Sequence, residues 1–156
     1  MKKFELTSET KINIFGKKLF RIKALVSFGV VKTGETGGWV EKEENVNQSG
    51  NAWVSGDAMV SGNAKVYGDA KVSGNAWVYG DAKVSGNADY TTIHGFGAQF
   101  RTTTFFRCKD KKVRVACGCF FGTIPEFREQ VKNTRKGKIA EEYLMIADLM
   151  ENHFEK

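Results

Sequence analysis

The sequence predicts a mainly β protein organised around a parallel β-solenoid, and three features of residues 50–91 lead to this fold class. The segment consists of seven consecutive six-residue units, from GNAWVS to GNADYT. In each unit an alanine is followed two positions later by a second residue, which is valine in six of the seven units. Residues two positions apart lie on the same side of a strand. Gly followed by Asn or Asp favours a sharp corner before each strand. Short strands separated by regular corners are typical of a solenoid.

The alternation of Asn and Asp at the corners predicts three units per turn. The seven positions are Asn51, Asp57, Asn63, Asp69, Asn75, Asp81 and Asn87. With three units per turn, residues 18 apart stack at a spacing of about 4.8 Å, and every Asp has only Asn neighbours. With two units per turn, each Asp would stack on another Asp, which is unfavourable because like charges would be adjacent.

The length and charge of the chain predict one module with basic ends. A chain of 156 residues is long enough for a modest core but not for two independent ones. Residues 1–39 carry 8 basic and 3 acidic groups, residues 40–91 carry 4 and 7, and residues 92–156 carry 12 and 8. This distribution allows an anionic partner at the ends, although a solvated basic surface is the simpler interpretation.

The composition also predicts a cytoplasmic protein without a membrane partner. No apolar run has transmembrane length, and the start MKKFELTSETK lacks the apolar segment of a secretory signal. The three cysteines, an odd number, argue against a disulfide framework and agree with a reducing compartment.

The segments on either side of the repeat divide the chain into three parts. Residues 1–39 predict a β-hairpin cap, since KINIF and LFRIKALVSF flank a turn at Gly16. Residues 40–91 form the solenoid, and Val40 and Val46 predict a partial coil before the first full one. Residues 92–156 predict a second hairpin, formed by RTTTFFRC and KVRVACGCF, and two helices. Thr123 and Glu126 form a capping box at the start of the first helix.

Three blocks in combination resemble a family of small phage and prophage hexapeptide-repeat proteins. These are the lead-in segment GGWVEKEENV, the repeats, and CGCFFGTIPEF with its helical tail. The resemblance implies a left-handed parallel β-helix with three units per coil. It also implies a phage setting, with the host cytoplasm as location and a homo-oligomer, most often a trimer, as assembly. It implies no particular activity.

Catalytic and cofactor sites are not predicted. Hexapeptide-repeat acyltransferases use a histidine as general base, but this chain has only His94, just past the repeat, and His153 in the tail. A carbonic anhydrase of this fold would need three histidine ligands for its metal. No phosphate loop or nucleophile elbow is present. The chain is therefore expected to be non-enzymatic and to need no metal or cofactor, and an acyltransferase using His94 is the alternative.

The cysteines are predicted to be buried structural thiols. Cys117 is expected to pair with residue 104 or 105 across the second hairpin. Cys108 would then lie on the order of 10–13 Å away, too far for one zinc to bridge. Cys117 and Cys119 are expected to share a face with Val113 and Val115.

The 18-residue period sorts the outward side chains of the repeat into three faces. The first carries Trp53 and Lys71. The second is apolar, and it is expected to be covered by the C-terminal helix or by another subunit; the packing residues are Met59, Trp77, Tyr79, Tyr143, Ile146 and Met150. The third is basic and, with the second hairpin, is the candidate anion site; its residues are Lys65, Tyr67, Lys83, Arg101, Arg107, Lys109, Lys112 and Arg114.

The leading functional hypothesis is a non-enzymatic phage binding protein that acts in counter-defence. It would sequester an anionic, nucleotide-type signal or block a host defence protein. The alternatives are the acyltransferase and a purely structural assembly module.

Overall fold

The computed structural model describes residues 2–155, and the chain is mainly β, with 40% strand and 23% helix. The predicted class and the two C-terminal helices are thereby confirmed. The N-terminal and repeat strands are β1 Phe4–Ile12, β2 Lys18–Ala24, β3 Thr36–Val40, β4 Trp53–Val54, β5 Met59–Val60, β6 Lys65–Val66, β7 Lys71–Val72, β8 Trp77–Val78 and β9 Lys83–Val84. They are followed by β10 Tyr90–Phe96, β11 Arg101–Arg107, β12 Val113–Cys117, β13 Phe120–Thr123, α1 Ile124–Thr134 and α2 Gly137–Phe154.

The repeat units stack in parallel with the predicted period of 18 residues. β4 pairs with β7, β5 with β8 and β6 with β9, and Met59 lies opposite Trp77. The alanines and valines of the units from Ala52 to Val84 are fully buried in one core. Asn51 Nδ2 donates to Asp69 Oδ1 at 3.4 Å, as the alternation of Asn and Asp predicts. Residues 18 apart therefore lie on neighbouring parallel strands.

The sheets formed by these strands are small and mixed. Two of them contain only two strands each, while β5 and β8 extend the N-terminal strands into a sheet of order β1-β2-β3-β5-β8. β1 and β2 form the predicted antiparallel hairpin, and β3 lies antiparallel to β2 and parallel to β5. Val40 pairs with Val60, and Val46 pairs with Val66. These pairings confirm the partial first coil.

Side-chain donors cap the N-terminal end of the stack, where the first full coil presents backbone carbonyls. The buried Lys3 donates from Nζ to the carbonyls of Gly50 at 3.3 Å and Ala52 at 2.7 Å. Asn45, also buried, donates from Nδ2 to the carbonyls of Gly62 and Ala64. The carbonyls on two faces of the coil thereby receive hydrogen bonds. A buried carbonyl without a donor would cost free energy.

Side-chain acceptors cap the C-terminal end, where the last coil presents backbone N–H groups. Four of these groups donate to side chains of the seventh unit or of β11. The bonds run from Lys71 to Asn87 Oδ1, from Ser73 to Tyr90 Oη, from Trp77 to Thr104 Oγ1 and from Ser85 to Asp89 Oδ2. The last repeat unit and β11 together therefore close this end of the solenoid.

The C-terminal unit is an antiparallel sheet between the solenoid and the two helices. Its strand order is β10-β11-β12-β13, and only the β11–β12 hairpin was predicted. Phe106 belongs to the solenoid core, whereas its neighbour Phe105 belongs to a second core with the helices. The predicted capping box of Thr123 and Glu126 starts α1 and is confirmed. Within residues 2–155, neither helix is long and apolar enough to cross a membrane.

The second face of the repeat is covered differently from the prediction. Tyr79 contacts Phe106 and Phe121 of the C-terminal sheet, with ring centroids 6.0 and 4.9 Å apart, and Phe15 of the first hairpin lies against Trp77 and Tyr79. Met59 is half-buried beside β3.

The helix residues predicted to cover this face lie elsewhere. Tyr143, Ile146 and Met150 are buried in the second core, on the far side of the sheet. Coverage of the second face by the C-terminal helix is therefore wrong, because the intervening sheet, which the sequence did not reveal in full, takes that position.

The corner glycines provide a matched test of how closely the coils stack. Gly68 and Gly74 have φ of +61° and +67°, so alanine is strained at both. A Cβ on Gly68 would lie 2.6 Å from the Ser85 carbonyl oxygen, whereas a Cβ on Gly74 would meet nothing within 4 Å. We expect Gly68→Ala to lower the free energy of unfolding by at least about 1 kcal/mol more than Gly74→Ala, as measured by urea denaturation. Equal losses would contradict the close stacking at Gly68.

The buried Lys3 predicts a specific pH dependence of stability. Burial lowers the pKa of its ammonium from 10.5 to about 8. Between these two pH values Lys3 binds a larger fraction of a proton in the unfolded chain than in the folded chain. Lys3 therefore makes the free energy of unfolding rise with pH, by up to about 3 kcal/mol. Denaturation curves at pH 7.5 and pH 10 should show this rise in the wild type relative to Lys3→Met, which has no titrating group there. The same pH dependence in both proteins would contradict the prediction.

Candidate functional site

The residues predicted to bind an anion line four different cavities. Lys65, Tyr67 and Lys83 line the first, Arg107 and Lys112 the second, Lys109 and Arg114 the third, and Arg101 the fourth. Among the described residues, the hairpin turn and the third face of the repeat line different cavities. The two regions adjoin, because Ala82 pairs with Cys108 and the Lys109 N–H donates to the Asp81 carbonyl at 2.9 Å. A single anion site formed by all eight residues stays a prediction.

Two of the predicted arginines are engaged within the chain. Arg107 Nε lies 3.2 Å from Asp89 Oδ1, and its guanidinium lies 5.4 Å from the centre of the Phe154 ring. Arg114 Nη2 lies 2.7 Å from Asp110 Oδ2, and this hydrogen bond lowers the pKa of Asp110. Arg107 links the solenoid end to α2, and Arg114 fixes the β11–β12 turn, so both have structural partners.

The histidine of the acyltransferase alternative lies outside the coils. His94 is exposed on β10, opposite Thr102 of β11, and its Nδ1 is 2.7 Å from Thr102 Oγ1. His153 is exposed near the end of α2. His94 therefore lies on the edge strand of the C-terminal antiparallel sheet, just past the repeat.

The cysteines lie in three different environments. Cys108 is buried in the solenoid core, and Cys117 is buried in the second core, where Thr103 Oγ1 donates to its sulfur at 3.3 Å. Cys119 is exposed, so its predicted burial is wrong. It lies in the turn between β12 and β13, and β13 was not predicted from the sequence. Cys117 pairs with Thr103, one residue from the expected range. In the part of the chain that the structure describes, no three His, Cys, Asp or Glu side chains are grouped as metal ligands.

The first group of predicted residues lines a cleft of about 460 Å³, which we name the lysine cleft. One wall is the third face of the repeat, with Lys65, Tyr67 and Lys83; the other is the lead-in segment, with Glu43, Glu44, Val46, Asn47 and Gln48. The parallel pairing of β6 and β9 places Lys65 directly opposite Lys83. Two ammonium groups on adjacent strands repel each other.

The charges in the lysine cleft are unevenly paired. Glu43 is bonded to Lys2 at 2.8 Å, and this hydrogen bond lowers the pKa of Glu43, so its carboxylate is charged and already engaged. Over residues 2–155, neither Lys65 nor Lys83 has a carboxylate within 4.0 Å. The cleft therefore presents two adjacent positive charges without a partner.

The second wall of the cleft was missed at the sequence level. Gln48 fixes it, because its Oε1 accepts from the backbone N–H groups of Lys3 and Phe4 at 2.7 and 3.1 Å. A short helix at Glu43–Asn45 positions the two glutamates. The available signal was the eight-residue spacing from Val46 to Val54, which breaks the six-residue repeat and marks this segment as irregular.

Comparison with known proteins adds no family to this description. A scan against protein-family models and a search of curated proteins both find no match to the chain. The resemblance to phage hexapeptide-repeat proteins stays a prediction, and a function has to be argued from the geometry.

Proposed function

We propose that the protein is a non-enzymatic binding protein that holds an anionic, nucleotide-type ligand in the lysine cleft. The observation that carries this proposal is the pairing of Lys65 with Lys83 in register, with no carboxylate near either ammonium within residues 2–155. A phosphate group shared by both lysines would replace their mutual repulsion with two attractive interactions.

The size and the second wall of the cleft support a ligand larger than phosphate alone. A volume of about 460 Å³ lies within the usual range for pockets that bind organic ligands. Tyr67 is 37% exposed and offers an aromatic ring beside the lysines, and aromatic rings stack on nucleobases. Across the cleft, the exposed Glu44 can accept hydrogen bonds from sugar hydroxyls or from an exocyclic amine.

The biological setting follows from the family resemblance rather than from the cleft. We propose that the chain is a phage or prophage protein that works in the host cytoplasm, and that binding an anionic signal serves counter-defence by sequestration. Blocking a host defence protein is the other form of this role. Neither form requires a catalytic group, a metal or a cofactor.

We also propose the finer fold and assembly that the resemblance implies, namely a left-handed β-helix and a homotrimer. The parallel period of three units supports the helix. The first hairpin supports self-association, because Ile12, Ile14 and Phe15 at its tip are 64%, 55% and 45% exposed. Exposed apolar groups clustered at one place favour burial against a second copy.

Charge reversal in the lysine cleft tests the ligand proposal. We expect Lys83→Glu to weaken nucleotide binding at least tenfold, because a charged hydrogen bond is lost and a repulsive charge is added. Native mass spectrometry after incubation with a panel of mono-, di- and cyclic nucleotides would report both the bound ligand and the number of subunits.

Two control variants make this test specific. Lys71→Glu makes the same change at the same position of a repeat, but on the first face. Arg114→Glu changes a residue that the sequence assigned to the same ligand surface and that the structure pairs with Asp110. Binding should survive in both variants. A wild-type protein that retains no nucleotide, or equal weakening in all three variants, would count against the lysine cleft as the site.

The acyltransferase alternative is tested by His94→Ala. His94 is exposed and bonded only to Thr102 among the described residues, so its removal should change the free energy of unfolding by less than about 1 kcal/mol. Under the binding proposal, His94→Ala retains nucleotide and keeps its counter-defence activity in the host. Loss of activity with unchanged nucleotide retention would favour the enzyme, and Thr102→Val as a companion variant would report whether the hydroxyl orients the ring.

A further inference from the structure

A second cavity, of about 230 Å³, lies between the C-terminal sheet and the helices, away from the lysine cleft. We name it the arginine cavity. The residues that decide its chemistry are Arg101, Arg135, Phe120, Phe127, Gln130 and Tyr143. Of these six residues, the sequence predicted a ligand-binding role only for Arg101, which was grouped with Lys65 and Lys83 of the lysine cleft.

Both arginines of the cavity retain free hydrogen-bond donors. Arg101 Nη2 donates to Gln99 Oε1 at 2.6 Å, and Arg135 Nη1 donates to the carbonyl and hydroxyl oxygens of Thr134 at 3.5 and 3.3 Å. Each guanidinium has five N–H groups, so most remain unused. In the region that the structure covers, neither arginine has a carboxylate within 4.0 Å, and none lines the cavity.

The position of Arg101 depends on a glycine. Its guanidinium lies over Gly118, in the turn between β12 and β13, and a Cβ at this position would collide with Nη1. Gly118 also has φ of +59°, a conformation that favours glycine. The sequence CGCF thus leaves room for a guanidinium above the turn, next to the two cysteines that line the cavity.

The floor of the cavity is aromatic. The rings of Phe120 and Phe127 are 5.7 Å apart, and Phe127 and Tyr143 are also 5.7 Å apart, edge to face. Tyr143 is buried, its hydroxyl donates to the Phe96 carbonyl at 3.2 Å, and burial raises its pKa, so the phenol stays neutral. An apolar ring can therefore lie on this floor without burying an opposing negative charge.

The last turn of α1 forms one wall, where a helix carries partial negative charge. Two groups reduce this effect: Thr134 Oγ1 donates to the Gln130 carbonyl at 2.6 Å, and the Arg135 N–H donates to the Val131 carbonyl at 2.8 Å. The two full positive charges of the arginines therefore dominate the cavity.

From these features we propose that the arginine cavity binds a small organic anion, with one carboxylate or phosphate group held by Arg101 and Arg135 and a compact ring on the aromatic floor. The planar guanidinium fork matches both oxyanions. A volume of about 230 Å³ is below the usual range for drug-sized ligands, so a whole nucleotide does not fit. This proposal does not depend on the ligand of the lysine cleft.

The experiment is a titration of the full-length protein with four probes, followed by two-dimensional amide NMR. Benzoate and phenyl phosphate carry both recognition elements, inorganic phosphate lacks the ring, and benzyl alcohol lacks the charge. We expect benzoate or phenyl phosphate to shift the amides of residues 117–120 and 134–135 and to bind at least tenfold more tightly than the other two probes. The tighter of the first pair identifies carboxylate or phosphate as the natural group.

Substitutions then assign the binding to the arginines. Arg135→Gln and Arg101→Gln should each weaken the tighter probe at least tenfold, whereas Lys136→Gln, an exposed neighbour with the same change of charge, should leave it unchanged. If Arg101→Gln does not fold, Arg135→Gln alone decides, because the Arg135 side chain bonds only Thr134 among the described residues.

The proposal is overturned if the folded wild type binds neither charged ring, if benzyl alcohol binds equally well, or if Lys136→Gln weakens binding as much as Arg135→Gln. Lys83→Glu should not change the affinity of the probes for the arginine cavity, which separates this test from that of the lysine cleft.

Discussion

The two ends of a parallel stack are chemically different, and this difference controls the rest of the structure. Each coil donates its N–H groups to the carbonyls of the next coil, as Met59 donates to Ala76 at 2.9 Å. The first coil is left with free carbonyls and the last with free N–H groups, and neither can be buried without partners. The N-terminal segment accordingly brings donors, Lys3 and Asn45, and the C-terminal segment brings acceptors on β10, β11 and the turn before them.

The acceptor end also accounts for the helices and the arginine cavity. A sheet that closes the solenoid with Thr104 and Phe106 would leave its opposite side, with Phe105 and Val115, exposed to solvent if nothing packed on it. That side is apolar and has to be covered, and α1 and α2 cover it. The arginine cavity lies where this second layer is incomplete, between α1, α2 and the β12–β13 turn.

The sequence predicted what depends on local repetition and missed what depends on distant contacts. The period of 18 residues followed from the corner Asn and Asp, and the start of α1 followed from Thr123 and Glu126, since both signals lie within a few residues of the feature. Trp53 was expected on the first face, but it is only 3% exposed because Phe4 and Phe28 cover it. Such coverage is set by chain segments that no spacing rule connects. The lysine pair was predictable from the period, but the opposite wall of its cleft was not.

The same distinction decides which charges are free to bind a ligand. From sequence, the basic residues of the third face and the second hairpin look equivalent, but their partners differ. Arg107 is held by Asp89 and links the end of the solenoid to α2, and Arg114 is held by Asp110 in the β11–β12 turn. Among the described residues, the cations left for a ligand are those that the fold brings together without a carboxylate. Strand register places the two lysines, and the β12–β13 turn and the end of α1 place Arg101 and Arg135. Charge density alone therefore identifies neither site, because a cation binds an external anion only where the fold has not already supplied one.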